Sequence, residues 1–318
     1  MIVTVTPNPG IDRTVTLGCA LTRGAVHRVQ AVSNEPGGKG VNVARALTMA
    51  GLEAIALLPA RPDDPFLAML SAAGVTAAPV PTTGAVRTNL AITEPDGTTT
   101  KLNEPGAMLD TAGVAALTEA VLAHAARADW LVLSGSLPPG MAADWYAEVV
   151  ALVRDLDCRV AVDTSDAPLT ALAAAFGRAA PDLIKPNSEE LASLSGRSAE
   201  ELESAVAQGD PAPVVTAARD LIGRGVGAVL ATLGAAGAVL VDGTGAWLAT
   251  PPPIVPRSTV GAGDSSLAGY VCADVAGAPA PRRLQMAVAY GSAAAALPGS
   301  ALPSGDQVDP DKVTVVSL

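Results

Sequence analysis

The stretch Val260-Gly261-Ala262-Gly263-Asp264-Ser265-Ser266 sets a carboxylate directly behind small residues that let a backbone approach a ligand closely. Leu267, Tyr270 and Val271 follow at the i, i+3, i+4 spacing of a helix, so the segment reads as a glycine-rich turn opening a helix. Unpaired N–H groups and the positive end of the dipole favour an anion at such a terminus. Asp264 could there take the proton of an attacking hydroxyl, as phosphoryl transfer needs. An ordinary turn with Asp264 as its N-cap accounts for the same residues, so other motifs must decide.

A second glycine turn, Pro36-Gly37-Gly38-Lys39-Gly40, precedes a predicted helix over 41–50, with Val43, Leu47 and Ala50 on one face and Gly51 as the C-terminal cap. A lysine against the positive end of a helix is unfavourable unless an anion is shared there, which points to phosphate or polyol binding. The spacing is not that of a Walker A loop. Basic residues are overwhelmingly Arg; the lysines are Lys39, Lys101, Lys185 and Lys312, which suggests that the motif positions need a compact ammonium. In Lys185-Pro186-Asn187-Ser188-Glu189-Glu190, Asn187 and Glu190 are three apart and could hold a hydrated Mg²⁺, or Glu190 could simply be a first-turn carboxylate. Thr232-Leu233-Gly234-Ala235-Ala236-Gly237 follows a strand and suits a nucleotide phosphate or a hairpin turn; it fails the dinucleotide GxGxxG pattern. Asp12, beyond Pro7-Asn8-Pro9-Gly10, stands at a predicted strand exit, where open α/β sheets bind ligands, or is a solvated turn carboxylate.

The elements that must position these groups fall into two sets. Residues 2–6 read as a strand, and 15–17, 26–32, 88–93 and 99–102 as short strands, the last two joined by Pro95-Asp96-Gly97. Lacking helices between them, these four short strands predict a small β layer apart from the main sheet, acting as a lid. After residue 108 strands and helices alternate: helix 111–127, strand 129–134, helix 144–157, strands 159–163 and 182–186, a helix from 188, an acidic proline-containing connector over 198–213, a helix to 223 and a strand over 226–232. The alternation predicts an α/β fold with a mostly parallel sheet covered by helices on both faces. The organisation expected is one domain over 1–318, with lid strands inserted at about 13–35 and 86–104.

A net charge of −11 and 3% aromatic residues speak against nucleic-acid and anionic-membrane partners. No apolar run nears the ~20 residues of a membrane span, and 293–297 reads as part of a packed helix. The N-terminus reads as a strand and not as a signal peptide. Cys19, Cys158 and Cys272 form no CxxC pair, and His27 and His124 share no ligand spacing, which fits a reduced cytoplasmic protein without disulfides or zinc. A sugar- or nucleotide-binding protein without catalysis fits the same sheet rim; Asp264 discriminates, since binding alone does not need that carboxylate.

Gly37-Gly38-Lys39-Gly40-Val41-Asn42-Val43-Ala44-Arg45 and Val260-Gly261-Ala262-Gly263-Asp264 together resemble the two signatures of the ribokinase-like (PfkB) family of sugar kinases. With Asn187 and Glu190 the resemblance covers essentially the whole chain. Thr6-Pro7-Asn8-Pro9, Ile11-Asp12-Arg13 and Ser134-Gly135-Ser136-Leu137-Pro138 resemble the branch that acts on phosphorylated hexoses. The resemblance implies a three-layer sandwich with a β lid, and ATP with Mg²⁺ as cofactors. It implies fructose 1-phosphate as the acceptor, with tagatose 6-phosphate or fructose 6-phosphate as alternatives. It further implies that Asp264 is the base and that the N–H groups of Gly261, Ala262 and Gly263 form an anion hole. Asp12, Gly37, Gly38 and Asn42 would hold the sugar; Lys39, Arg87, Ser136 and, from the lid, Arg28 would hold its phosphate. Lys185, Asn187, Thr232, Gly234 and Gly237 would face ATP, and Glu190 would orient Mg²⁺ through water. A homodimer through the lid is the implied assembly. One departure stands out: the family's usual Asp or Asn upstream of the second turn is Ser258 here.

Overall fold

The computed structural model describes residues 1–318. The chain opens with β1 (Ile2–Val5), β2 (Gly10–Leu17), β3 (Val29–Gly37), α1 (Lys39–Met49), β4 (Ala54–Ala60), α2 (Pro65–Ala72), β5 (Thr76–Pro81), β6 (Arg87–Thr93) and β7 (Thr99–Asn103). It continues through α3 (Thr111–Ala125), β8 (Trp130–Ser134), α4 (Trp145–Val153), β9 (Arg159–Asp163), α5 (Asp166–Ala174), α6 (Phe176–Ala179), β10 (Leu183–Ile184), α7 (Ser188–Ser195), α8 (Ala199–Ala207) and α9 (Ala212–Gly223). It closes with β11 (Ala228–Thr232), β12 (Ala238–Asp242), β13 (Gly245–Thr250), α10 (Ala262–Val275), α11 (Ala280–Ala295) and β14 (Thr314–Ser317).

Ten strands form the central sheet in the order β14-β13-β12-β11-β10-β9-β8-β1-β4-β5. Every pair from β5 to β11 is parallel, and β12, β13 and β14 complete the far edge as antiparallel strands. Both faces are covered because successive residues of each strand point to opposite sides. Val3, Val5, Leu131, Leu133, Val160 and Val162 face a core built with α3 to α9. Ile2, Trp130, Val132, Ala161 and Leu230 face a second core built with α1, α2, α10 and α11. The result is the three-layer sandwich expected from the alternation.

The second sheet has the order β3-β2-β6-β7, and it is the lid. β2 pairs antiparallel with β3 and parallel with β6, which in turn forms the Pro95-Asp96-Gly97 hairpin with β7. The lid reaches closer to the main sheet than the pattern predicts, since β2 starts at Gly10 and β3 runs on to Gly37. Asp12 is therefore a lid-strand residue and not a turn carboxylate, and Pro36 and Gly37 end a strand instead of making a turn. The strand expected over 26–32 begins only at Val29, because residues 18–28 loop around His27, whose Nε2 accepts the Thr22 N–H at 3.0 Å.

One connector is in fact a helix. Over 198–213 the acidic composition conceals α8, whose N-cap Ser198 accepts the Glu201 N–H and whose Leu202 and Val206, four apart, are buried. Glu200 and Glu201 stand in its first turn, where the dipole favours them. Gly51 lies one residue past the C-cap Ala50 of α1, at φ 81°.

Candidate active site

Several strands of the parallel sheet release their carboxyl ends toward one rim, and the lid roots in the same place. β1 leads into Pro7-Asn8-Pro9, β8 into Gly135 and Ser136, β9 ends at Asp163, β10 leads to Lys185 and Asn187, and β11 ends at Thr232. Such a rim is where open α/β sheets bind ligands.

At the rim α10 begins. Its N-cap is Gly261, at φ 77°, so the chain turns into the helix through a left-handed residue that a side chain would strain. Asp264 is the third residue of the helix and not its cap, which sets aside the ordinary-turn reading. Its side chain is buried and accepts a hydrogen bond from Asn42 Nδ2 at 2.9 Å. Burial, reinforced by the nearby Asp163 carboxylate, pushes Asp264 up to about 6, while Lys39, Asn42 and Lys185 oppose the shift. The carboxyl therefore changes charge close to neutral pH, as a proton acceptor should. Ser258, where the family usually has Asp or Asn, still supports the turn: its Oγ accepts the Val260 N–H at 3.2 Å.

Two ammonium groups stand beside this helix end. Lys39, the first residue of α1, donates to Asp163 Oδ1 at 2.9 Å, and Lys185 Nζ lies 3.2 Å from Asp163 Oδ2. Lys185 also lies along the first turn of α10, where a methyl group at Gly263 would stand 3.1 Å from its Nζ. Asp163 is fully buried; burial alone would raise its pKa, but Lys185 and Lys39 outweigh it and hold the carboxyl below the usual range. Asp163 is the residue of this cluster that sequence reading did not single out. It ends an ordinary apolar strand, and the signal available was only a charged residue closing a buried run at the sheet rim.

Lys39, expected to hold the sugar's phosphate, is paired with Asp163. Burial works against its ammonium, but Asp163, Asp264 and Glu190 together hold its pKa above the ordinary value. Asn42, expected to hold the sugar, donates to Asp264; its Oδ1 is buried and without a partner.

The lid side gathers a different set. Arg87, first in β6, donates through Nη1 to the Glu104 carbonyl at 2.9 Å and through Nη2 to Ser136 Oγ at 3.4 Å, and its Nε is buried without a partner. Asn8 donates to the Pro105 carbonyl and to Ser136 Oγ. The Ser136 loop is fixed through the Gly135 carbonyl, which accepts from both Tyr146 Oη and Thr164 Oγ1 at 2.9 Å. Asp12 accepts from Asn89 Nδ2 at 3.0 Å and packs on Gly37, where any side chain would overlap the carboxylate. Burial raises the pKa of Asp12 against the pull of Asn89 and Arg87. Gly38, at φ 109°, leads into α1. Arg28 is not brought to this group: it is exposed and precedes β3, about 30 Å along the strand from Gly37 at ~3.3 Å per residue.

On the nucleotide side, Asn187 and Glu190 form a reciprocal capping box on α7, Oδ1 accepting the Glu190 N–H at 2.8 Å and Glu190 Oε2 accepting the Asn187 N–H at 2.9 Å. The structural reading of this pair therefore holds, yet Glu190 is not merely a surface cap. Burial raises its pKa, and the charges of Lys39, Asp163 and Lys185 act on it. No group of three His, Cys, Asp or Glu side chains could hold a metal outright. Glu190, a single half-buried carboxylate beside Lys39 and Lys185, is an oxygen donor of the kind that suits an ion bringing further ligands as phosphate oxygens and water. Thr232 bridges to Asn187, and Gly234 and Gly237 belong to the β11–β12 hairpin, Gly237 pressed against the Ala249 carbonyl of β13.

Residues 11–306 match the model of the pfkB family of carbohydrate kinases. The chain is 41% identical over 313 residues to a 1-phosphofructokinase of Rhodobacter capsulatus, covering 96% of this chain and 94% of the relative. It is 38% identical over 275 residues to a 1-phosphofructokinase of Xanthomonas campestris, covering 85% and 83%. Among solved structures, Escherichia coli phosphofructokinase-2 in complex with substrates and products superposes with a TM-score of 0.86 at 32% identity, covering 96% of each chain. The resemblance read from the two glycine motifs is borne out: the chain belongs to the pfkB family of carbohydrate kinases and is a phosphotransferase with an alcohol group as acceptor.

Proposed function

We propose that this chain phosphorylates fructose 1-phosphate with Mg·ATP to give fructose 1,6-bisphosphate and ADP. The observation that carries the reading is Asp264, a buried carboxylate held by Asn42 at the amino end of α10, with the ammonium groups of Lys39 and Lys185 gathered beside it. The 41% identity to a 1-phosphofructokinase supports fructose 1-phosphate over the alternatives.

In this reading the acceptor hydroxyl attacks the terminal phosphorus, its proton passes to Asp264, and the bond to the ADP oxygen breaks. Asp264 need not be strongly basic, because the hydroxyl loses its proton only as it attacks. The first N–H groups of α10, from Ala262 and Gly263, point along the dipole at the moving phosphoryl. Arg87 and Ser136 hold the phosphate the sugar already carries, the unpartnered Nε of Arg87 supplying one donor. Asp12 accepts from a sugar hydroxyl. Lys185, Asn187 and the β11–β12 hairpin would face the nucleotide, and Glu190 would hold Mg²⁺ through water, the ion supplying neutralisation of phosphate charge when bound. The lid excludes water, which suppresses ATP hydrolysis.

The chain is also proposed to act in the cytoplasm as a homodimer joined through its lids. The three free cysteines support the first, and the exposed Val26, Val29, Val32 and Leu102 of the lid support the second. No helix is long and apolar enough to cross a membrane.

The test is ADP release with fructose 1-phosphate, fructose 6-phosphate, tagatose 6-phosphate, fructose and ribose. A kcat/KM for fructose 1-phosphate at least tenfold above the rest, ~1.4 kcal/mol of discrimination, is expected. A different sugar phosphate in first place would change the substrate and leave the site intact. Binding without turnover would instead make the chain a sugar-phosphate binder.

A further inference from the structure

Asp163 is a carboxylate with no contact to solvent, and both of its oxygens face lysine ammonium groups, at 2.9 Å and 3.2 Å. The two lysines come from opposite ends of the site's construction. Lys39 opens α1 behind the lid root, and Lys185 follows β10 on the nucleotide side. Two ammonium groups at the positive end of α10 would repel each other and the dipole, and one buried carboxylate alone would be costly. Together with Asp264, the four groups carry no formal net charge. The arrangement solves three electrostatic problems at once, and it does so beside the base.

We propose that Asp163 is a positioning residue that fixes Lys39 and Lys185 as one cationic pair at the amino end of α10, and that Lys39 thereby serves the phosphoryl group in transit and not the phosphate already on the sugar. The inference rests on the kinase reading above and deepens it. Asp163 touches neither substrate; it acts through the lysines. An acceptor with two charged oxygens is required, because an amide offers a single acceptor oxygen and no charge. The phosphate on the sugar is left to Arg87 and Ser136, whose donors meet on the lid side.

Lysine reactivity tests the bridge without relying on turnover. The chain has four lysines, and Lys39 is accessible to reagent, with 36% of its side chain exposed. At pH 9, acetylation followed by mass spectrometry should show wild-type Lys39 reacting at least tenfold more slowly than the exposed Lys101, since an ion-paired ammonium gives up its proton reluctantly. In Asp163→Asn the Lys39 rate should rise at least fivefold relative to Lys101 in the same sample. An unchanged ratio in a folded variant overturns the bridge. Kinetics test the assignment of Lys39. Asp163→Asn should lower kcat at least a hundredfold while both KM values stay within threefold. Lys39→Met, which serves if the Asn variant does not fold, should do the same. A tenfold rise in the sugar-phosphate KM at unchanged kcat returns Lys39 to the sugar's own phosphate and overturns the proposal, as does wild-type kinetics in Lys39→Met. Should the wild type phosphorylate none of the sugar phosphates, the kinase reading fails, while the change in the ratio of Lys39 to Lys101 on Asp163→Asn still decides the bridge.

Discussion

At the level of single residues, the site turns on how one carboxylate is kept near neutral pH. Asp264 is raised to about 6 chiefly by burial and then by Asp163, and is pulled back by Lys39, Asn42 and Lys185. The base works only when ionised, so kcat should fall as pH drops through about 6 and level off above it; a limb near 4 would mean that burial is not felt in the complex. Asp264→Asn should lower kcat by ~10²–10⁴ with little change in substrate affinity, measured by steady-state kinetics and calorimetry. The sign for stability is opposite to that of a salt-bridged acid. A carboxyl whose folded pKa is raised costs stability when ionised, and the cost is relieved as pH falls through about 6. Asp264→Asn should therefore melt no lower than the wild type at pH 7.5, and a clear drop in Tm would contradict the burial argument. Legibility differed sharply among these residues. Asp264 announced itself by what surrounds it in the chain, small residues before and a helical pattern after. Asp163 did not, because its partner Lys39 lies 124 positions away and nothing local distinguishes a charged strand end that is buried from one that is solvated.

At the level of elements, α1 and α10 carry the residues proposed for the chemistry, and each is held in place by packing or ion pairs of its own. Gly40, in the first turn of α1, lies against β1: a side chain there would come within 2.8 Å of the Val5 carbonyl oxygen. Since backbone cannot yield as a flexible side chain does, Gly40→Ala should push α1 off the sheet, costing about 1–3 kcal/mol in urea unfolding and displacing Lys39 and Asn42 together. At the opposite end of α10, Asp274 is buried and takes Trp130 Nε1 at 2.8 Å, Arg283 Nη1 at 2.9 Å and Arg159. A carboxylate in the last turn opposes the dipole, and the two arginines more than compensate. Asp274→Ala leaves them unpaired and should cost about 3 kcal/mol, the low end for a broken buried pair because both arginines keep some solvent. The elements with strong periodicity or flanking turn residues were readable from sequence, α3 and the β6–β7 hairpin among them. Residues 54–81 and the strands after β11 were not, since short runs of Ala, Val, Leu and Pro show neither period clearly. In α8 acidic composition masked a helix that only its buried Leu202 and Val206 reveal.

At the level of the whole molecule, the lid poses a problem that one chain does not solve. Four strands stand away from the cores, β3 and β7 are unpaired edges, and apolar side chains remain in water: Val26 is 93% exposed, Leu102 56% and Val29 49%. Unprotected edges and exposed apolar residues invite pairing with another copy, and a two-fold contact satisfies both at once without propagating into a filament. The net charge of −11 opposes non-specific association, so a defined contact must be apolar enough to overcome it. Sedimentation at micromolar concentration should therefore show twice the chain mass. Val29→Asp together with Val32→Asp should shift it to the single chain, because each places a carboxylate where apolar surface would be buried. Neither position touches the site, whose residues lie at the other end of β3, so the monomeric variant should keep its phosphoryl-transfer chemistry if the lid closes within one chain. A loss of turnover that returns at high protein concentration would mean that closure itself depends on the partner, and a wild type that sediments as a single chain would remove the lid as an interface altogether.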